Sequence, residues 1–119
     1  MQKSAHLVPM RQGGIYWIQL NPVAGHEQSG KRPVLVVSAN DFYRVTHMVK
    51  VMAISSKERV FPLRVDLPQG LSTVGQVLVD QERSIDPNAP EREAEFIEMV
   101  PKPFLMKIAK LNDATHEVR

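Results

Sequence analysis

Residues 25–33, Gly-His-Glu-Gln-Ser-Gly-Lys-Arg-Pro, place an imidazole, a carboxylate, an amide and two cations on one short polar stretch. His26 can exchange a proton near neutral pH, and Glu27 beside it offers a second acid/base group. Arg32 stands where this loop meets the apolar run Pro33-Val34-Leu35-Val36-Val37. Its guanidinium is therefore expected at a sheet edge or barrel mouth, where it could hold a phosphate bidentately as a lysine cannot. Ser55 and Ser56 close a second apolar run, and Asp80, two residues from Glu82, closes a third. Arg, Ser and Asp at three strand ends suit proton transfer and charge neutralisation at a phosphate. The plainer readings are a solvated hairpin loop at 25–31, a surface ion pair from Arg32 to Asp80 or Asp86, and backbone turn bonds for the serines.

Other chemistries fit less well. Gly25 to Lys31 satisfies G-x-x-x-x-G-K, but Arg32 replaces the Ser/Thr of a phosphate-binding loop and Pro33 leads into a strand, not a helix. His6, His26, His47 and His116 lack metal-ligand spacing, so no metal and no cofactor are expected. The absence of cysteine excludes a thiol nucleophile and a disulfide scaffold. At 119 residues, 43% hydrophobic and 24% charged, the chain reads as one ordinary globular domain. No apolar run approaches a membrane span and residues 1–6 carry no signal-peptide core, so a cytoplasmic protein is expected. The net charge of +2 hides a split, about +6 over residues 1–64 and −4 over the rest. Such asymmetry suits a polyanion-binding face but equally a solvated surface.

These groups need elements to position them. Residues 1–10 read as an N-terminal tail and 11–119 as the domain. Residues 14–20 are aromatic and β-branched and stop at Asn21-Pro22, which predicts a strand. Residues 33–38 predict a strand covered on both faces, with Pro33 at its first position. One helical turn is expected at 40–44, capped by Ser38 or Asn40. Further strands are predicted at 48–54, 63–67, 76–80 (extended past a kink to 86) and 96–100, with a Pro-punctuated loop at 87–93. Phe104, Leu105, Ile108, Leu111 and Thr115 recur at helical spacing, and Pro101 and Pro103 fit a first turn, so a helix from about 101 to 114 follows. The sum is a mainly β, small barrel-like domain with a C-terminal helix.

The order of segments is specific. Gly14-Ile15-Tyr16-Trp17, Leu20-Asn21-Pro22, Gly25-His26-Glu27-Gln28-Ser29-Gly30-Lys31-Arg32-Pro33 and Val79-Asp80-Gln81-Glu82-Arg83-Ser84-Ile85-Asp86 resemble the MazF/PemK family, with the Val51-Met52-Ala53-Ile54-Ser55 strand end between them. The resemblance runs from about Arg11 to the C-terminal helix. It implies an SH3-like β-barrel of the CcdB/PemK kind and a homodimer. The implied activity is sequence-specific, metal-independent cleavage of single-stranded mRNA, neutralised by a cognate antitoxin. In that reaction the 2′-hydroxyl attacks the adjacent phosphorus and leaves 2′,3′-cyclic phosphate and 5′-hydroxyl ends.

By resemblance, Arg32 matches the family's essential arginine and Ser55 its catalytic threonine, keeping the hydroxyl and losing the methyl. Asp80 and His26 match the base and stabiliser proposed in one PemK-like branch. That branch's arginine two positions before the aspartate is Leu78 here, which shifts weight onto Arg32 with Ser55. Glu27 matches a carboxylate implicated in other members and is a second candidate base. RNA contacts are expected from Gln28 and Lys31 in one loop and Ser56, Lys57, Arg59, Phe61 and Arg64 in another. Phe61 and Tyr43 are candidates for base stacking, against core or dimer packing. The competing expectation is a catalytically weak or dead barrel that acts by binding, as gyrase poisons of this fold do. Those toxins lack the Gly-His-Glu-Gln and Arg-Pro signatures.

Overall fold

Alternating apolar residues build the sheet that carries the expected site. The structure is a computed structural model, and it describes residues 9–21, 25 and 30–118. Strand β1 (Gly14–Gln19) pairs antiparallel with β2 (Lys31–Val36), placing Ile15 opposite Leu35 and Ile18 opposite Arg32. β2 starts two residues before the expected strand, so Pro33 is its third residue and not its first. The Val37 N–H bonds the Lys50 carbonyl, and backbone direction alternates along a strand. The Pro33 nitrogen therefore faces the third strand one residue short of the ladder that begins at Val34–Ala53, where a missing N–H breaks nothing.

Helix α1 (Asn40–Thr46) is longer than the expected single turn and carries no side-chain cap. Neither expected cap is available. The Ser38 hydroxyl accepts the Lys50 N–H at 2.9 Å, and the Asn40 side-chain oxygen accepts the Gln12 N–H at 2.8 Å. Strands β3 (Val49–Ser55), β4 (Arg64–Asp66), β5 (Gln76–Ile85) and β6 (Glu95–Met99) follow, with a 3-10 turn at Pro90–Arg92 inside the Pro-punctuated loop. All ladders are antiparallel, in the order β4-β5-β3-β2-β1-β6.

Both faces of this sheet are apolar. Tyr16, Ile18, Leu20, Val34, Val36, Val51, Ala53 and Leu78 share one core. Met10, which the sequence pattern assigns to the tail, is buried there too, and the Tyr16 hydroxyl donates to the Pro9 carbonyl at 2.7 Å. Burial pushes the Tyr16 hydroxyl above its usual pKa despite the bond it accepts from the Arg11 N–H. Ile15, Leu35, Met52, Ile54, Val77 and Val79 line the other face, which helix α2 (Lys102–Ala114) covers with Phe104 and Ile108. Each such buried side chain contributes about 1.5–3 kcal/mol. Lys102, Lys107 and Lys110 point to solvent, and Thr115 is the C-terminal cap residue.

The sheet rolls up. Among the described residues no ladder joins the edge strands β4 and β6. Yet Glu98 of β6 reaches the segment between β4 and β5, so a side-chain clasp fastens the roll. The architecture is the expected mainly β, SH3-like barrel class with a C-terminal helix, its sheet curled but not closed by backbone pairing.

Candidate functional site

Arg32 sits near the start of β2 and Ser55 at the end of β3. Continuing the Val34–Ala53 ladder by two residues sets them opposite one another, on the same face of the sheet. Arg32 borders a cavity of about 440 Å³ with Trp17, Lys31, Pro33, Ile54, Ser56, Thr73 and Val74. Its walls offer an aromatic face, two cations and hydroxyls, the mix that suits a nucleotide's base and phosphate. Ser55 is buried, and its hydroxyl oxygen accepts the Lys57 N–H at 3.2 Å. The turn bond is thus real, and it leaves the hydroxyl proton as a donor.

Asp80 borders a smaller cavity, about 120 Å³, with Leu20, Val51, Ala53 and residues 81–83. Ala53 lies on the sheet face that Arg32 and Ser55 share, two residues from each along its strand or its partner's. The β3–β5 ladder shifts register between Met52 and Ile54. Met52 faces Glu82 while Ile54 faces Val77, so residues 78–81 bulge out opposite Ala53. The bulge exposes Asp80 and keeps the kink inside one continuous strand. Leu78 is completely buried in the Tyr16–Ala53 core, so this chain uses that position for packing.

The second expected loop follows Ser55. Ser56, Lys57, Arg59 and Phe61 are exposed, with Phe61 48% accessible. Arg64 is half-buried and turned inward: its Nε donates to Gln76 Oε1 and its Nη2 to the Lys57 carbonyl, both at 3.1 Å. Lys31 makes an exposed 3.4 Å pair with Glu93, of little energetic weight. Tyr43 packs against the core and its hydroxyl accepts from Asn88 at 2.7 Å, which favours the packing reading over base stacking.

His26, Glu27 and Gln28 lie outside the described residues, but the chain entering their loop is held firmly. Arg83 Nη1 donates to the Leu20 carbonyl and Arg92 Nη1 to the Gln19 carbonyl, each at 3.0 Å. The Gly30 N–H bonds the Asn21 side chain at 3.1 Å and the Leu20 N–H bonds the Gly30 carbonyl at 2.9 Å. Desolvation, then the nearby Arg83 charge, holds the Arg92 guanidinium below its usual pKa. Two cations thus fasten the loop's stem. Among the described residues no three His, Asp or Glu side chains gather as a metal site requires.

Sequence reasoning missed Trp17 as a wall of the Arg32 cavity, Gln76, and the Glu98 clasp. Glu98 accepts from the Ser72 and Thr73 N–H groups at 3.0 and 2.7 Å and from both their hydroxyls at 2.9 and 2.6 Å. The Thr73 hydroxyl bond contributes most to lowering the Glu98 carboxyl to a pKa of about 2. A folded-state pKa below the unfolded value makes the carboxylate stabilising above the ordinary carboxylate range, a contribution lost as pH falls toward 2. Thermal melts of Glu98→Gln should therefore fall below wild type at neutral pH and converge with it between about pH 4.5 and 2. Parallel curves across that range would contradict the clasp.

Comparison with known proteins places this geometry in context. The profile of PemK-like, MazF-like toxins of type II toxin–antitoxin systems matches residues 11–111. The chain is 36% identical over 104 residues to the Escherichia coli endoribonuclease PemK, spanning 83% of this chain and 76% of that one. It is 31% identical over 83 residues to the endoribonuclease EndoA of Bacillus subtilis strain 168, spanning 65% and 71%. Among solved structures, MazF of Deinococcus radiodurans superposes with a TM-score of 0.83 at 31% identity, covering 91% of this chain and 96% of that one. A MazE–MazF structure from the same organism gives 0.76 at 25% identity, covering 94% and 99%.

Proposed function

The chain belongs to the PemK-like, MazF-like toxins of type II toxin–antitoxin systems, and from that premise we propose that it is an endoribonuclease cutting single-stranded mRNA at short sequences. The observation that carries the proposal is Arg32 in β2, bordering a cavity walled by Trp17 and Lys31, with Ser55 closing the neighbouring strand β3. The 2′-hydroxyl gives its proton to a base and attacks the adjacent phosphorus, the bond to the 5′-oxygen breaks as that oxygen takes a proton from water, and 2′,3′-cyclic phosphate and 5′-hydroxyl ends remain. Arg32 offsets the charge that builds on the pentavalent phosphorus, and the Ser55 hydroxyl donates to a phosphate oxygen. The base that takes the 2′-hydroxyl proton is Asp80, Glu27 or His26, and single replacement of each followed by cleavage assay identifies it. An arginine is charged at rest, so its role is electrostatic before it is acidic. Lys57 and Arg59 contact phosphates and Phe61 stacks on a base. The requirement for a 2′-hydroxyl restricts the activity to RNA.

The same cavity, with Val74 and Ile97 beside its cations, suits an antitoxin segment of mixed apolar and acidic character. The protein works as a homodimer in the cytoplasm and is silenced by that antitoxin. Incubation of the purified protein with mixed-sequence RNA in EDTA tests the reaction. The expected result is cutting at a short consensus with cyclic-phosphate ends. A strict metal requirement would refute the mechanism, and no cutting of any RNA would favour the binding-only barrel.

A further inference from the structure

Gln76 opens β5 as Ser55's partner in the β3–β5 ladder, and it is only 6% exposed. Its amide uses its whole hydrogen-bonding capacity. Nε2 donates to the Arg59 carbonyl at 3.1 Å and to Asp66 Oδ1 at 3.0 Å. Oε1 accepts from the Arg59 N–H and from Arg64 Nε, both at 3.1 Å. Two donors and two lone pairs are thereby filled, and a flipped amide would set its oxygen against two acceptors. The orientation is single-valued.

This arrangement grips both backbone groups of Arg59, as a neighbouring strand would, in a segment that is not a strand. Residues 57–63 lie between β3 and β4, and Val60 at their tip is fully exposed. Lys57 is fixed twice, by its N–H to Ser55 and by its carbonyl to Arg64. The frame from Ser55 through Lys57 to Arg59 is therefore tied to the sheet by one buried amide and one guanidinium. Phosphate contacts set register and base contacts set sequence. A loop that carries both must be held still relative to the reacting phosphate.

We propose that Gln76, acting with Arg64, is a specificity-determining positioning residue: it brackets the loop carrying Lys57, Arg59 and Phe61, and so sets which single-stranded RNA sequence lies across Arg32 and Ser55. This rests on the RNA-cleavage reading above. Arg64 then serves as a bracket and leaves the outward phosphate contacts to Lys57 and Arg59. Half-buried Arg64 on one side and exposed Asp66 on the other flank the amide and hold it with complementary hydrogen bonds.

The test is steady-state cleavage with cut-site mapping, beside amide hydrogen exchange, on Gln76→Leu, Arg64→Lys and the double variant. Gln76→Leu should raise KM about tenfold with kcat within about threefold, and should broaden the cut-site consensus. Exchange at the Arg59 amide should quicken at least about tenfold. Arg64→Lys keeps the charge and loses the fork, so a bracket role makes it follow Gln76→Leu, and the double variant should be clearly non-additive. An unchanged consensus and KM in Gln76→Leu would overturn the proposal, as would a loss confined to kcat. Should Gln76→Leu not fold, Arg64→Lys decides by the same readouts. If the wild type cuts no RNA, the cleavage reading fails by itself, and the specificity role fails with it. Arg59 exchange then shows whether the bracket holds the loop regardless.

Discussion

Replacing Arg32 by alanine is expected to lower the rate of RNA cleavage by about 10²- to 10³-fold or more, chiefly in kcat. In-line attack adds a partial bond to phosphorus before the leaving bond breaks, and the added charge sits on the non-bridging oxygens. A guanidinium can meet two of those oxygens at once with a geometry fixed before substrate arrives. Arg32 is held by its place in β2, with Ile18 opposite on one side and the Ser55 strand end on the other. Substrate binding draws on many contacts, including Lys57, Arg59 and Trp17, so KM should move much less than kcat. Arg32→Lys restores the charge without the fork and should recover only part of the loss. Thermal melting separates a chemical from a structural effect. Arg32 lies near the beginning of its strand and is only half-buried, so the alanine variant should melt close to wild type. A variant as active as wild type would remove Arg32 from the mechanism.

What the residues alone disclose, and what they hide, follows from the range of the interactions involved. The apolar run at 33–37 and the aromatic run at 14–20 identify β1 and β2, because strand burial imposes its pattern locally. The spacing of Phe104, Ile108 and Leu111 does the same for α2. Arg32 and Ser55 stand out as polar residues ending apolar strands, but their juxtaposition needs the β2–β3 register, which no local pattern supplies. Asp80 looks equivalent in type and place to Ser55, and only the register shift at Met52–Ile54 discloses that it stands exposed opposite Ala53 and not at the strand's end. Leu78, one position within the apolar run before Asp80, ends in the core as a completely buried side chain.

Gln76 and Glu98 are silent in the sequence for a related reason. Each is one polar residue on a strand, ordinary in type, whose partners lie 10 to 26 positions away in sequence. Only the folded register reveals that one amide serves Arg59, Arg64 and Asp66, or that one carboxylate closes the roll. The charge split acquires a similar refinement. Arg64 belongs to the positive half of the chain but spends two donors on internal acceptors, so the outward phosphate track is shorter than the cation count suggests.

The second large effect is expected at a residue with no side chain. Gly75→Ala should destabilise the fold by roughly 2–4 kcal/mol, lowering the melting temperature by about 10 °C. Gly75 has a φ of 143°, a conformation that L side chains rarely adopt. A Cβ there would stand 2.4 Å from the Ser55 carbonyl oxygen and 3.1 Å from an Ile54 methyl. The first obstacle is backbone, so it cannot rotate aside. Relief requires β5 to part from β3 at the pair Gln76–Ser55, the point where the loop bracket and the candidate catalytic hydroxyl meet. The Gly75 carbonyl also accepts the Leu67 N–H at 3.0 Å, which ties the same movement to the β4 edge. Activity should therefore fall further than the folded fraction does: at a temperature where the variant is still folded, its kcat/KM should remain well below wild type. Conversely, Gly70 stands in the same β4–β5 connection, also at positive φ, with open space where a methyl group would project. Gly70→Ala would carry backbone strain alone, so comparing the two separates steric displacement of Ser55 from conformational cost. Equal losses of activity in the two variants would mean that the close approach to Ser55 does not matter.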